Sequence, residues 1–187
     1  EDSAVQSVSM PNTVSVIGKN AFKNCSEIDY IYFVDALREI GESAFENCSA
    51  IITCNLEFSA LERIGERAFY GCTAIKRVYL PDTVSSIGDE AFANCSSLID
   101  IELSDSLIEI GNSAFENCYS LERILIPSGV EMKDAGSPAF VGTPLLKTIV
   151  FEEGREEISG APYFNLNSGA DIYIPKSVKR VSLSPFI

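Results

Sequence analysis

One nine-residue pattern recurs along the chain and constrains its fold more than any other feature. The pattern Ile-Gly-x-x-Ala-Phe-x-x-Cys occurs five times, over residues 17–25, 40–48, 64–72, 87–95 and 110–118. Its aromatic position recurs in degraded form at Phe140, Tyr163 and Phe186, and successive aromatic positions are 23 to 25 residues apart. A period of this length is the signature of a repeat protein, so we expect about eight stacked units.

Each unit also contains a second pattern, which begins three residues after the Cys position. Apolar residues recur there in the order apolar-x-x-apolar-x-apolar, as in Ile75, Val78 and Leu80. Alternating Val, Ile and Tyr residues followed by a turn pair such as Pro81-Asp82 are typical of a short β-strand. The apolar positions of the nine-residue pattern fall instead at i, i+4, i+5 and i+8, which is one face of a helix. We therefore predict one strand and one short helical turn in each unit.

Neither element can bury its apolar face alone, so the units must stack. Stacked parallel strands give an α/β solenoid in which consecutive coils bury a continuous core. The prediction is a right-handed solenoid of about eight coils, with one parallel sheet on its concave face and short helical turns on the opposite side. The glycine after each Ile suits a tight bend or a close approach of two backbones. We expect residues 1–187 to form a single domain.

The composition excludes several functional classes. The chain has 187 residues, a formal net charge of −13 and no histidine. A strongly acidic surface repels phosphate backbones and anionic headgroups, which argues against nucleic-acid and membrane-surface binding. Without histidine, Ser-His-Asp and Cys-His pairs and imidazole metal ligands are excluded. No apolar run reaches the roughly 18 residues of a transmembrane helix, so we predict no membrane insertion of this segment.

The repeat resembles the BspA-like subclass of the leucine-rich repeat family. The resemblance rests on an eight-position apolar template filled in five successive units, for example by Val5, Val8, Met10, Val14, Ile17, Ala21, Phe22 and Cys25. It weakens toward the C-terminus, where Thr143, Arg155, Pro162, Leu166, Gly169 and Pro185 replace template residues, and we expect looser coils there. Neither end carries a polar cap, so we expect the chain to be a fragment of a longer array. The resemblance implies an extracellular or cell-surface location and an adhesive function.

The six cysteines are expected to be buried free thiols. Five share one repeat position, Cys54 occupies an inward strand position, and no C-x-x-C pair occurs. A thiol packs as a small hydrophobic group in a core. A disulfide between neighbouring coils would need Cα atoms about 4.4 to 6.8 Å apart, and the sequence leaves that alternative open. We predict no metal site and no cofactor, because the acidic run 152–157 lacks the alternating Asp/Asn spacing of a calcium loop.

The strand residues that point away from the core are the candidate ligand-binding residues. Parallel strands in register align them in two columns across the sheet. In one column Arg77, Asp100 and Arg123 alternate in charge, so we expect a ladder of salt bridges. The other column contains tyrosines and apolar side chains, and tyrosine is enriched in binding sites. The predicted ligand-binding face consists of Tyr30, Tyr32, Asn55, Arg77, Tyr79, Asp100, Glu102, Arg123, Leu125, Val150 and Tyr173.

Two functions fit this surface. The first is a non-catalytic recognition module that binds an extracellular protein or glycan through the sheet face, and the second is a structural spacer that presents another domain. Cross-strand packing without a ligand would produce a similar face, so the sequence leaves both open. An enzyme is not expected. Asp100 and Glu102 are the best candidates for carboxylate chemistry, but successive outward positions on a flat strand should form no cleft.

Overall fold

The computed structural model describes residues 6–130, 138–160 and 170–183, which form a solenoid of parallel strands with about seven turns. The predicted number of eight coils is not confirmed. The strands form two faces. The primary face follows the Cys position of the repeat and contains β1 (Ser7–Ser9), β3 (Tyr30–Tyr32), β5 (Thr53–Asn55), β7 (Arg77–Tyr79), β9 (Asp100–Glu102), β11 (Arg123–Ile126), β12 (Thr148–Phe151) and β14 (Asp171–Tyr173). The secondary face contains β2 (Val16–Ile17), β4 (Glu39–Ile40), β6 (Arg63–Ile64), β8 (Ser86–Ile87), β10 (Glu109–Ile110), β13 (Glu157–Gly160) and β15 (Arg180–Leu183).

Neighbouring strands pair in parallel with a shift of one repeat. On the primary face β7 pairs with β5 and β9, so Arg77 lies between Thr53 and Asp100. On the secondary face β2, β4, β6, β8 and β10 form a five-stranded sheet in chain order. Parallel pairing on the primary face is confirmed, whereas the second parallel sheet was not predicted. The strands of this five-stranded sheet are two residues long, too short for an alternating apolar pattern to be visible in the sequence.

The segment that contains the Ala-Phe pair forms a third side of the solenoid, the turn side. The predicted helical turns are not confirmed, because the described residues of this side form turns and no helix. In the first coil Asn20 and Asn24 have φ angles of 59° and 63°, in the left-handed region that interrupts a helix. The amides of Asn20, Phe22 and Asn24 donate hydrogen bonds of 2.7 to 2.9 Å to carbonyls of the next coil. Inter-coil bonds therefore replace the i to i−4 bonds of a helix.

A column of stacked phenylalanine rings forms the centre of the core. The rings of successive repeats are nearly parallel, with centroids 5.0 to 5.5 Å apart, in the order Phe22, Phe45, Phe69, Phe92, Phe115 and Phe140. Phe22 is half-buried and the other five are fully buried. Stacked aromatic pairs contribute roughly 0.5 to 1.5 kcal/mol beyond the burial of their surface. The column therefore helps to hold consecutive coils together.

The glycine of the Ile-Gly motif allows two coils to approach each other at the secondary face. A Cβ atom on Gly88 would lie 2.6 Å from the backbone nitrogen of Glu66. A Cβ atom on Gly111 would clash with the backbone nitrogen of Asp89. The glycines are needed for space, and the predicted close approach of two backbones is confirmed.

Salt bridges between adjacent coils lie on the turn side and the secondary face. On the turn side the buried Glu46 carboxylate contacts Lys23 at 2.9 Å and Arg67 at 3.2 Å. Burial alone would raise the pKa of Glu46, but hydrogen bonds from Arg67, Ser43 and Lys23 lower it to about 2. The secondary face carries two exposed pairs at 2.6 Å, Arg38–Glu62 and Arg63–Glu39.

The C-terminal coils depart from the template. Arg155 occupies a position that is aliphatic in other coils, and its guanidinium donates hydrogen bonds to the carbonyls of Pro127 and Val130 at 3.1 and 2.5 Å. Thr143 replaces a cysteine, and its hydroxyl donates to the Phe140 carbonyl at 2.9 Å. At the position of Arg155 hydrogen bonds thus replace the apolar contacts of the other coils. The remaining substituted positions, Pro162, Leu166, Gly169 and Pro185, and the repeat positions Tyr163 and Phe186, lie outside the described residues.

Candidate binding surface

The outward positions of the primary face are open to solvent. In β1, β3, β5, β7 and β9 the central residue is buried and its two neighbours are exposed. Of the eleven residues predicted to bind ligand, ten are exposed and Val150 is half-buried. All of them lie on the primary face, and their part in ligand binding stays a prediction.

Strand register aligns these residues in columns across each sheet, as the repeat predicts. Arg77 lies beside Asp100 in one column, and Tyr79 lies beside Glu102 in the other. The second column continues in a further sheet through Leu125, Val150 and Tyr173. Adjacent parallel strands are about 4.8 Å apart, so a ligand that lies across the strands meets a new side chain at each coil.

An exposed pair of tyrosines lies near one end of the face. Tyr30 and Tyr32 project from β3 with ring centroids 4.5 Å apart and planes inclined by 59°. They are 50% and 56% exposed, and Tyr79 on β7 is 38% exposed. A tyrosine offers a flat apolar ring and a hydrogen-bonding hydroxyl at a low cost in side-chain entropy. The three rings therefore provide contact area of the kind that binding surfaces use.

A groove of about 390 Å³, the acidic groove, opens beside β9 on the same face. It is lined by Leu80, Asp82, Asp100, Ile101, Glu102, Leu103, Ser104, Asp105, Arg123 and Leu125. The expectation that Asp100 and Glu102 form no cleft is wrong, since both line this groove. The reason is that the bends after β7 and β9 border the strand and convert a flat surface into a concave one.

Two carboxylates of the acidic groove were missed in the sequence. Asp82 and Asp105 belong to the bends and line the groove together with the strand residues. A signal was present, because the two residues are 23 positions apart and occupy the same place in consecutive repeats. The pair Pro81-Asp82 was interpreted only as a turn, and a turn prediction does not say which strand the side chain will face.

The predicted ladder of salt bridges in the charged column is wrong. Arg77 and Asp100 are in register, but within the described ranges no ion pair joins Asp100 to Arg77 or Arg123. Register places Arg77 beside Asp100, but their side-chain directions leave the charged groups apart, and an exposed pair would add only about 0 to 1 kcal/mol. The charges of this column are presented to solvent instead.

The cysteines are structural. All six are free, Cys25 is half-buried and the others are buried, as predicted. Four thiols donate hydrogen bonds of 3.0 to 3.3 Å to the phenylalanine carbonyl of the preceding coil, namely Cys48, Cys72, Cys95 and Cys118. Burial raises the pKa of Cys48 to about 12 and raises those of Cys54, Cys72, Cys95 and Cys118 well above the ordinary value. Because the thiolate is the reactive form, these groups are poor nucleophiles.

The acidic run 152–157 contains a turn that supports the next coil. The Glu153 carboxylate accepts hydrogen bonds from the amides of Lys176 and Ser177 at 3.2 and 3.3 Å. The bond from the Lys176 amide is the main cause that lowers the pKa of Glu153. Among the residues whose structure is described, no group of three or more Cys, Asp or Glu side chains is arranged to hold a metal ion.

A family model described as a BspA type leucine rich repeat region matches the chain over residues 1–95 and 62–187, with six copies. No curated protein sequence matches the chain. Where its structure is described, the chain contains no helix that is long and apolar enough to cross a bilayer.

Several solved structures resemble the chain. A leucine-rich repeat protein of T. pallidum is 20% identical with a TM-score of 0.54, and the match covers 95% of this chain and 69% of that one. A leucine-rich repeat protein of Bacteroides ovatus is 19% identical (TM-score 0.39; 96% and 63% covered). A leucine rich cell surface protein of Faecalibacterium prausnitzii is 17% identical (TM-score 0.37; 97% and 80% covered). The first similarity supports the fold alone, and the other two add nothing to it.

Proposed function

We propose, from the premise that the chain belongs to the BspA-type leucine-rich repeat family, that it is a non-catalytic recognition module located outside the cell. Its ligand is an extracellular protein or glycan, which binds across the strands of the primary face. The location comes from the resemblance to a family whose members are typically attached to the cell surface or secreted. We infer the binding face from the side chains that are exposed on the described coils.

The observation that carries this proposal is the exposed aromatic pair on an open sheet. Tyr30 and Tyr32 are each at least half exposed, although their rings lie 4.5 Å apart. Exposed large aromatic side chains in a cluster are typical of interaction sites, where tyrosine is enriched among the residues that contribute most binding energy. The face continues with Tyr79, Leu125 and Tyr173, all exposed.

The scaffold under this face is suited to binding because it is held by repeated inter-coil contacts. In β1, β3, β5, β7 and β9 the central residue is buried, as Ile31 and Val78 are. Behind it the phenylalanine column and the turn-side hydrogen bonds join each coil to the next. A preorganised surface loses little conformational entropy when a partner binds.

Binding to a panel of extracellular-matrix proteins, mucins and glycans, at two salt concentrations, tests the proposal. The variant Tyr30→Ser/Tyr32→Ser/Tyr79→Ser should weaken a saturable signal at least about tenfold, since loss of a central aromatic residue commonly costs about 2 kcal/mol or more. The matched control is Val16→Ser/Ile108→Ser/Tyr119→Ser, whose side chains are 53%, 54% and 49% exposed and lie off the primary face. Equal weakening in both variants would contradict binding through the primary face.

A structural spacer is the second candidate function, and the continuity of the stack favours it. The same inter-coil hydrogen bonds that present a binding face also make a stiff rod that can hold another domain away from a surface. A spacer needs no ligand. If no panel member binds the wild-type chain, the spacer function replaces the recognition function.

A further inference from the structure

We infer that the acidic groove receives a short basic segment of a protein partner, rich in arginine or lysine. This inference rests on the proposed recognition function and names the chemical class of its ligand. It assigns Asp82, Asp100, Glu102 and Asp105 as the residues that attract and orient the segment.

The charges of the groove are unbalanced. Four carboxylates and the single guanidinium of Arg123 line it. Across residues 6–130, 138–160 and 170–183, none of these five side chains takes part in a salt bridge or a side-chain hydrogen bond. Their full hydrogen-bonding capacity is therefore available to a ligand, and a carboxylate can accept two parallel bonds from one guanidinium.

Several carboxylates elsewhere on the solenoid have cationic partners within the chain. On the turn side Glu46 binds both Lys23 and Arg67, and on the secondary face Arg38 binds Glu62. The acidic groove presents four unpaired carboxylates together in a concavity, which is the electrostatic complement of a cationic segment.

The groove also has an apolar component that fits the stems of long basic side chains. Leu80 is half-buried and Leu125 is 41% exposed, and both border the carboxylates. Arginine and lysine bury their methylene stems along such surfaces while the charged head meets the carboxylates. A volume of about 390 Å³ is near the lower limit for ligand sites, so it suits one or two side chains of a longer segment.

Other occupants fit less well. Nucleic acid and a second copy of this chain, with its net charge of −13, would both bring negative charge to an acidic groove. A neutral glycan would donate hydroxyl hydrogen bonds to the carboxylates but would leave their four negative charges uncompensated. A basic peptide segment uses both the charges and the apolar border.

The test measures the affinity of a labelled octapeptide of alternating arginine and serine by fluorescence anisotropy. The groove variant is Asp100→Asn/Glu102→Gln/Asp105→Asn. Its matched control is Glu27→Gln/Glu57→Gln/Glu66→Gln, which removes three exposed carboxylates outside the groove and changes the net charge equally. We expect the groove variant to bind the peptide at least about tenfold more weakly than the wild type, and the control variant less than about threefold more weakly. Added salt should weaken wild-type binding, because the Debye length is only about 10 Å at 0.1 M salt. Equal losses in both variants overturn the inference.

A second variant is expected to strengthen peptide binding, and a misfolded protein could not imitate that result. Arg123→Gln removes the only cation of the groove and should raise the affinity for the arginine peptide about threefold, whereas Lys76→Gln, an exposed lysine outside the groove, should raise it less. Unchanged or weaker binding by Arg123→Gln contradicts the inference. The triple tyrosine variant, measured with the ligand panel, tests the proposed function separately. A panel ligand whose binding needs the tyrosines but not the groove carboxylates would overturn the basic partner and leave the proposed function standing.

Discussion

Removal of one ring from the phenylalanine column should destabilise the whole array. Phe92 is fully buried, and its ring lies between those of Phe69 and Phe115, with centroid distances of 5.2 and 5.5 Å and interplanar angles of 4°. A core Phe→Ala substitution costs about 3 to 5 kcal/mol. Two aromatic contacts are lost as well, so we expect the upper part of this range for Phe92→Ala.

The assay is thermal and urea unfolding followed by far-UV circular dichroism, since the chain has no tryptophan. For a chain of this length, about 4 kcal/mol corresponds to a fall in melting temperature of about 8 to 16 °C. Phe22→Ala should cost less because Phe22 is half-buried and stacks on one side only within the described coils. Tyr32→Ala, at a position 56% exposed, should cost less than about 1 kcal/mol. Equal losses for Phe92→Ala and Tyr32→Ala would refute the assignment of the inner and outer sides of the sheet.

Three further predictions follow from the inter-coil contacts. Gly88→Ala should lower the melting temperature by several degrees because its Cβ would meet backbone at 2.6 Å, whereas Gly18→Ala, with nothing within 4 Å, should be neutral. Glu46→Gln should cost about 1 to 3 kcal/mol at neutral pH. The stability difference between wild type and Glu46→Gln should be complete above pH 4.5, the ordinary pKa of a glutamate, and should disappear as the pH falls toward about 2, because folding lowers the pKa of Glu46 to that value. A stability difference independent of pH would contradict the ion pair. A thiol reagent should modify Cys25 first and the other five cysteines only on unfolding, giving six in total, and a lower total would indicate a disulfide.

The sequence was sufficient to predict the stacked core but not the shape of the turn side. The apolar spacing of Ile40, Ala44, Phe45 and Cys48 fits one face of a helix, and it fits a series of turns equally well, because both place the same residues inward. The residues that decide are the polar ones between them. Asn47 adopts a φ of 61°, which asparagine tolerates better than most residues, and this interrupts the helix. The available signal was therefore the residue before each repeat cysteine, which is asparagine in four repeats and Gly71 in the third.

Register explains where sequence reasoning about charges succeeded and where it failed. The same one-repeat shift that aligns Arg77 with Asp100 also aligns Lys19 with Glu42, which form a salt bridge of 2.7 Å on the turn side. Alignment brings two charged residues close, but the length and direction of their side chains decide whether an ion pair forms. The acidic groove could not be predicted for a related reason. Its concavity depends on how the bends at Asp82 and Asp105 are placed beside the strand. The order of residues in the repeat does not specify that placement.

The free thiols, finally, have a physical explanation that does not depend on the cellular compartment. Secreted proteins usually pair their cysteines, and we propose an extracellular location for this chain. Four phenylalanine carbonyls of the turn side each accept one bond from a cysteine amide and a second from the cysteine thiol of the next coil, namely those of Phe22, Phe45, Phe69 and Phe92. The Phe69 carbonyl, for example, accepts from the Cys72 amide and the Cys95 thiol. A disulfide would remove the protons that make these second bonds, in two coils at once. Because the repeat uses cysteine as a small buried hydrogen-bond donor, unpaired thiols are compatible with an extracellular array.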